Sequence, residues 1–216
     1  VHAATIGGVV VDSGNFDWDA NAEKFPGLCT PDESYHGLTY TKTFGNMAYT
    51  TKLVAQIMRD LGSIQSPHNA FLINLGLESL HLRMAQHCKN AQRIAEFLSE
   101  DARVAWVHYC GLENDRNHEL AKKYLPNGSC GVIAFGLKGD RETAIKWMDS
   151  LELINIVTHV ADCRSCVLHP ASHTHRQLSD EQLREAGIAP DLIRLSVGIE
   201  DSEDILDDIK QALDKI

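Results

Sequence analysis

The stretch Leu192-Ile193-Arg194-Leu195-Ser196-Val197 decides the fold class, because it is an apolar run of strand length that a helix pattern follows. That helix pattern covers about residues 202–214 and places Ile205, Ile209 and Leu213 on one face. Upstream, strand-like and helix-like segments alternate in the same way: strands over 104–107 and 130–137, and helices over about 115–124, 140–150 and 179–186. Strands that alternate with helices predict an α/β unit.

The first hundred residues follow a different pattern, dominated by helices. An apolar stripe at Met84, Cys88, Ala91, Ala95 and Leu98 predicts one long helix over residues 80–98. A shorter helix is predicted over 47–61, and Ser66-Pro67 predicts another helix start, with Ser as the N-cap and Pro at the first helical position. The apolar run Ile6–Val11 predicts a buried strand. We expect a domain boundary near residue 100, which divides 1–100 from 101–216.

Composition excludes several classes of protein. The formal net charge is -10, with 30 acidic and 20 basic residues, so the chain lacks the basic surface that a nucleic-acid binder needs. No apolar run approaches the length that spans a membrane. The six cysteines are spread through a chain rich in regular structure, which favours reduced thiols in a cytoplasm over a disulfide scaffold.

Arg194 is the first candidate for chemistry, since it interrupts an apolar strand. A guanidinium among aliphatic neighbours must be paired, because an unpaired buried charge costs several kcal/mol. Its planar fork suits a carboxylate that is bound through two hydrogen bonds. Two interpretations are open: a structural salt bridge to an internal Asp or Glu, or a binding site for a ligand carboxylate.

The segment His159–His175 is the second candidate, because it concentrates four histidines, two cysteines and three hydroxyl residues ahead of a capped helix. Cys163 and Cys166 have C-x-x-C spacing, and His169, His173 and His175 follow. A zinc site or a non-catalytic interaction module is therefore one interpretation. The other is a set of histidines that line a pocket.

Taken together, these segments resemble the O-acetylhomoserine sulfhydrylases, which belong to the Cys/Met-metabolism enzymes that use pyridoxal phosphate (PLP). The resemblance extends over essentially the whole chain. The matching motifs are Pro31–Leu38, Ser66–Leu72, Gly76–Met84, His169–His175 and Arg194–Glu200.

The resemblance implies a fold of the aspartate-aminotransferase type (fold type I), in which residues 1–100 are the C-terminal remnant of the large cofactor domain and residues 101–216 are the small α/β domain. It implies that Arg194 binds the substrate α-carboxylate and that Thr174 and Ser172 line the same pocket. His159 stands where relatives often carry Ser or Asn, and is a further candidate contact to the substrate. Thr5 is the candidate contact to the cofactor.

The resemblance places the Schiff-base lysine a few residues before His2, outside this chain, and Lys24, Lys42 and Lys52 do not occupy the motif position. We therefore expect no catalytic lysine, no covalent PLP and no activity from the chain alone. The intact enzyme is expected to convert O-acetylhomoserine and sulfide or a thiol to homocysteine or methionine and acetate. Expected partners are an amino-acid substrate and either further copies of the chain or the N-terminal half of the same enzyme. A cystathionine synthase or lyase activity is the alternative within the family.

Overall fold

The computed structural model describes residues 4–216, which form two compact units, Thr5–Ile73 and Asn74–Ile216. The division falls at residues 73 and 74 rather than near residue 100. The long helix Leu80–Glu100 belongs with the second unit because its buried face, which includes Ala91, Ile94 and Leu98, is part of the core of that unit. Whether the segments 1–100 and 101–216 correspond to the large and small domains of the family stays a prediction.

The first unit consists of short helices around a small apolar cluster. Its helices are α1 (Pro26–Cys29), α2 (Tyr40–Phe44), α3 (Ala48–Lys52) and α4 (Arg59–Leu61), and α5 (Pro67–Glu78) continues past the unit boundary. A π-helical segment, Leu53–Met58, joins α3 to α4, so the predicted helix over 47–61 is present. The cluster has Leu28, Tyr40 and Ala48 at its centre.

The predicted buried strand over Ile6–Val11 is wrong. The segment has no regular structure, and Ile6, Val9 and Val11 are each 86% exposed. A strand needs a neighbour that bonds its backbone N–H and C=O groups. Among residues 4–216, no strand lies beside this segment, so its apolar side chains remain in solvent.

The second unit is an α/β unit, as predicted. Its elements are α6 (Leu80–Glu100), β1 (Val104–His108), α7 (His118–Tyr124), β2 (Val132–Leu137), α8 (Arg141–Asp149), β3 (Asn155–Ile156), β4 (Cys166–Leu168), α9 (Asp180–Glu185), β5 (Leu192–Ser196) and α10 (Ser202–Leu213). The capping box predicted from Ser179 and Gln182 is confirmed at the start of α9. No helix among the described residues combines the length and apolarity that crossing a bilayer requires.

The five strands form one mixed sheet in the order β1-β2-β5-β4-β3, with antiparallel pairs except for β3 and β4. Alternation along β5 gives the sheet two faces. Ile193 and Leu195 point into the apolar core that contains the buried faces of α6, α8 and α10. Arg194 and Ser196 point to the opposite side, which is called the open face below.

Candidate active site

Arg194 lies in the middle of the open face, between the small side chain of Ala134 on β2 and Leu168 on β4. Its guanidinium donates to two backbone carbonyls, Thr158 O at 2.9 Å and His159 O at 3.4 Å. Among residues 4–216, no carboxylate lies within 4.0 Å of it. The predicted internal salt bridge is therefore absent from the described part of the chain, and the buried Nε–H also has no partner there.

The segment Thr158–Asp162, called the clasp loop below, crosses the open face. Three side chains of that face hold its backbone: Arg194 through the two carbonyls, Cys166 by donating from Sγ to His159 O at 3.1 Å, and Ser196 by accepting from Ala161 N at 2.9 Å. Burial raises the pKa of the Cys166 thiol, which keeps it protonated and able to donate. The clasp loop therefore takes its position from the same strands that carry Arg194.

A buried carboxylate anchors the end of the clasp loop. Asp162 is only 5% exposed, and its Oδ2 lies 3.6 Å from His159 Nδ1 and 3.7 Å from a guanidinium nitrogen of Arg164. The His159 imidazole is about half exposed, at 49%. These three residues border a cavity of about 150 Å³, whose wall also includes Ser165 and Cys166.

The segment His169–His175 begins beside Arg194, because Leu168 pairs with Arg194 in the sheet. His169 is fully buried, and burial lowers its pKa, so it is neutral. Its Nε2 faces Pro190 O at 2.9 Å and its Nδ1 faces Ser172 Oγ at 2.7 Å. The pairing with a carbonyl puts the proton on Nε2 and makes Nδ1 the acceptor from the Ser172 hydroxyl. Ser172 is thus engaged in holding His169.

Thr174 lies on the surface, with its hydroxyl 2.9 Å from His175 Nδ1. In the part of the chain that the structure describes, neither Thr174 nor Ser172 forms a hydrogen bond with Arg194. The structure thus brings together Arg194 and His159, whereas the roles of Thr174 and Ser172 at the substrate stay predictions.

A second set of polar residues, which the sequence analysis did not identify, holds the strand end that follows Arg194. On α6, His87 Nδ1 lies 2.6 Å from Val197 O, and Asn90 Nδ2 donates to Gly198 O and Glu200 O at 3.1 and 2.8 Å. Glu200 in turn accepts from Ser165 N at 2.6 Å. The available signal was a buried His and Asn on an otherwise apolar helix face, since such groups require partners.

The zinc interpretation is not favoured. Within residues 4–216, no three His, Cys, Asp or Glu side chains are grouped closely enough to hold a metal ion. Cys166 donates to a backbone carbonyl, and His169 and His173 each face one, at Pro190 O and His169 O. Cys29, Cys88, Cys110, Cys130 and Cys166 are reduced thiols.

The position of Thr5 and the contacts of the lysines in the first unit bear on cofactor binding. Thr5 lies in the first unit on a segment without regular structure. In that unit, Lys52 forms an ion pair with Asp32, at 2.8 Å, and lies over the Tyr40 ring, whereas Lys24 and Lys42 are exposed. A Schiff base needs a free amine beside the cofactor, so the paired Lys52 does not suit that role.

Comparison with known proteins identifies the class. Residues 1–214 match the Cys/Met metabolism PLP-dependent enzyme family, so the chain belongs to that family. Within it, the chain is 46% identical over 213 residues to a homocysteine synthase of Schizosaccharomyces pombe, a match that covers 99% of this chain and 50% of that protein. It is 42% identical over 224 residues to an O-acetyl-L-homoserine sulfhydrylase of Leptospira meyeri, covering 100% of this chain and 50% of that protein.

Solved structures agree. The fold resembles an O-acetylhomoserine (thiol)-lyase of Campylobacter jejuni, which carries N′-pyridoxyl-lysine-5′-monophosphate, with a TM-score of 0.79, 38% identity and coverage of 87% of this chain and 44% of that one. It also resembles an O-acetylhomoserine sulfhydrylase of Wolinella succinogenes, with a TM-score of 0.69, 31% identity and coverage of 94% and 50%. The chain therefore spans about half the length of its relatives, and they favour the sulfhydrylase branch over the cystathionine branch.

Proposed function

We propose that the chain contributes the site for the substrate α-carboxylate in an O-acetylhomoserine sulfhydrylase, with Arg194 as the binding residue. The contacts of the Arg194 guanidinium are the observation that supports this proposal. The guanidinium is fixed on the open face by two carbonyls of the clasp loop, and no described carboxylate neutralises it. A charged donor that is held in place and lacks a counter-ion is ready to bind an anion.

The clasp loop determines which donors of Arg194 remain for the ligand. Thr158 O and His159 O occupy one terminal nitrogen, NH2. The other terminal nitrogen remains for a carboxylate, which would fix one end of the amino acid and so orient its side chain. Ser172 and Thr174 are proposed to line this pocket and Thr5 to contact the cofactor. PLP, when bound in the complete site, supplies the electron sink for replacing the γ-substituent.

The proposed reaction joins a sulfur nucleophile to the γ-carbon of O-acetylhomoserine, with release of acetate. The Schiff-base lysine is proposed to come from a separate stretch of protein, either the N-terminal half of the same enzyme or an equivalent partner, so the chain alone is inactive. The support is that the matched relatives are about twice as long. We further propose a homo-oligomer in the cytoplasm, in keeping with the biosynthetic names of the relatives.

The carboxylate site can be tested on the chain itself. Titration of ¹⁵N-labelled protein with O-acetylhomoserine, followed by NMR, should shift the Arg194 side-chain signal and the backbone signals of the clasp loop. Arg194→Gln should weaken binding about 10-fold or more, since hydrogen bonds to charged groups contribute roughly 1.5–3 kcal/mol. Arg194→Lys keeps the charge but loses the planar guanidinium. Its affinity should therefore lie between those of the wild type and Arg194→Gln.

The matched ligand control is the methyl ester of O-acetylhomoserine, which has no carboxylate and should leave the Arg194 signals unchanged. Equal binding of the ester and the free acid would contradict the proposal. So would unchanged affinity in Arg194→Gln.

A further inference from the structure

The cavity beside the clasp loop has no assigned role. It measures about 150 Å³ and is bordered by His159, Asp162, Arg164, Ser165 and Cys166. We infer that this cavity receives the sulfur acceptor and that His159, oriented by Asp162, is the catalytic base that takes the proton from the acceptor's thiol. The inference rests on the proposed function, because it assigns the second substrate of the same site.

The cavity adjoins the proposed carboxylate site. His159 borders the cavity and also accepts a hydrogen bond from Arg194 at its backbone carbonyl, at 3.4 Å. One residue therefore touches both the proposed carboxylate site and the cavity. A second substrate bound there would lie next to an amino acid held by Arg194, as a bimolecular replacement requires.

The imidazole of His159 has a carboxylate on the side of Nδ1. The Asp162 carboxylate faces His159 Nδ1 at 3.6 Å and is almost fully buried. An acid group on this side favours the tautomer with the proton on Nδ1 and leaves the lone pair on Nε2. Asp162 is thus a positioning residue.

The charges around the pair are consistent with a base. Asp162 is also faced by Arg164 at 3.7 Å, and Arg194 contacts the loop carbonyls. The carboxylate of Glu200, which holds the same segment, accepts from the backbone N–H and the hydroxyl of Ser165. A neutral S–H donor can enter without bringing a charge into this arrangement.

The size of the cavity limits the acceptor. A water molecule occupies about 30 Å³ in the liquid, so the cavity has the volume of about five waters. Sulfide and short alkyl thiols fit this volume, and a cysteine-sized amino acid fills it.

The S–H bond breaks and its proton forms a bond with His159 Nε2. Acetate leaves the γ-carbon first, with the electron pair of its C–O bond, as a base of the complete site takes a proton from the β-carbon. The sulfur electron pair then forms the C–S bond at the γ-carbon, and a proton returns to the β-carbon. The proton on His159 then passes to solvent. No oxidant or reductant takes part.

The first test uses the chain alone, with ethanethiol as the probe and ethanol as the control of similar shape. Imidazole ¹⁵N signals should show His159 protonated on Nδ1, and Asp162→Asn should shift the population towards the Nε2-protonated form. Ethanethiol should shift the His159 ring signals, ethanol should shift them much less, and His159→Asn should remove the response at the cavity wall.

The chain offers a matched control pair. His108 Nδ1 also lies 3.6 Å from a carboxylate, that of Asp115, but it stands on the edge strand β1 and borders no part of this cavity. His108→Asn should leave the response to ethanethiol unchanged. A wild-type His159 protonated on Nε2, or a thiol response that survives His159→Asn, would overturn the inference.

The second test uses an enzyme assembled from this chain and a lysine-bearing half. His159→Asn should lower kcat/KM for ethanethiol about 100-fold, the lower end of general-base contributions. The decrease in kcat/KM should be much smaller for 2,2,2-trifluoroethanethiol, because this more acidic thiol ionises more readily without a base.

The outcomes separate the two proposals. An assembled enzyme that never releases acetate from O-acetylhomoserine contradicts the proposed function. Normal acetate release, together with an equal loss for both thiols or no loss for either, contradicts the role of His159 and leaves the proposed function standing.

Discussion

At the scale of single residues, the clasp loop depends on an unusual backbone conformation. Ala161 has φ +60°, in the left-handed region that residues with a Cβ avoid. Its N–H is bonded to Ser196 Oγ at 2.9 Å, and Asp162, the next residue, is buried. These two anchors hold the turn in place, so the strain at Ala161 is offset by the contacts that position the backbone over Arg194.

Ala161→Gly should therefore stabilise the protein. Glycine adopts positive φ without steric cost, and we expect the free energy of unfolding to rise by up to about 1 kcal/mol, reduced by the entropy of the freer unfolded chain. Urea denaturation followed by circular dichroism measures the change. The converse control is Gly187→Ala, at φ +76° with open space around the added Cβ, which should destabilise by about 1 kcal/mol. A less stable Ala161→Gly protein would show that the strain is not real.

At the scale of elements, one carboxylate ties α10 to the segment that leads to β3. Asp208 is 6% exposed and accepts from three consecutive backbone N–H groups, those of Glu152, Leu153 and Ile154, at 2.8, 3.0 and 2.9 Å. Backbone N–H groups that point inward require an acceptor. Asp208 supplies it, and the start of β3 takes its position from α10 in this way.

Asp208→Asn should cost about 3 kcal/mol of unfolding free energy. The amide keeps one acceptor oxygen but turns an NH2 group towards the backbone donors, which leaves at least one of them unsatisfied. Asp207→Asn is the matched control, because its side chain is 75% exposed and makes only a 3.7 Å contact to Lys210. Denaturant titration should separate the two variants clearly, and equal stabilities would refute the role given to Asp208.

At the scale of the whole molecule, the chain is a member of a PLP-dependent family whose matched relatives are about twice as long. The first unit leaves apolar side chains at Ile6, Val9 and Val11 in solvent. Exposed apolar runs of this kind are typical of surfaces that another piece of protein covers. The lysines of this unit are exposed or, like Lys52, already paired.

The chain alone should therefore not bind PLP covalently. After incubation with one equivalent of PLP and reduction with borohydride, intact-mass analysis should show no stoichiometric adduct, because Lys52 is paired with Asp32 and the Schiff-base lysine is proposed to come from a separate stretch of protein. The Schizosaccharomyces pombe homocysteine synthase, treated in parallel, serves as the positive control. A single modified lysine at full occupancy in this chain would contradict the expectation.

Much of the second unit was predictable from sequence. Helix caps such as Ser179 with Gln182, and the alternation of strands with helices, depend on residues close in the chain. The predicted apolar stripe on α6 is only partly confirmed. Ala91, Ala95 and Leu98 are buried, but Arg83, His87 and Asn90 are buried with them, while Met84 is 37% exposed. Arg83 and Asn90 are bonded to partners in α5, the turn before α6 and the segment after β5. His87 Nδ1 faces Val197 O, whereas the buried His87 Nε2 has no partner among residues 4–216.

The sequence by itself determined the family, the α/β class of the second unit and Arg194 as the candidate for binding a carboxylate. Only the tertiary structure decided that Arg194 has carbonyls instead of an internal carboxylate as its partners, that Asp162 faces His159, and that Ile6–Val11 forms no strand. The physical reason is the separation along the chain of the residues that make each contact. Periodicity and caps are set within one or two turns of chain, whereas the contact from Arg194 to Thr158 joins residues 36 apart. A strand exists only if a second strand lies beside it.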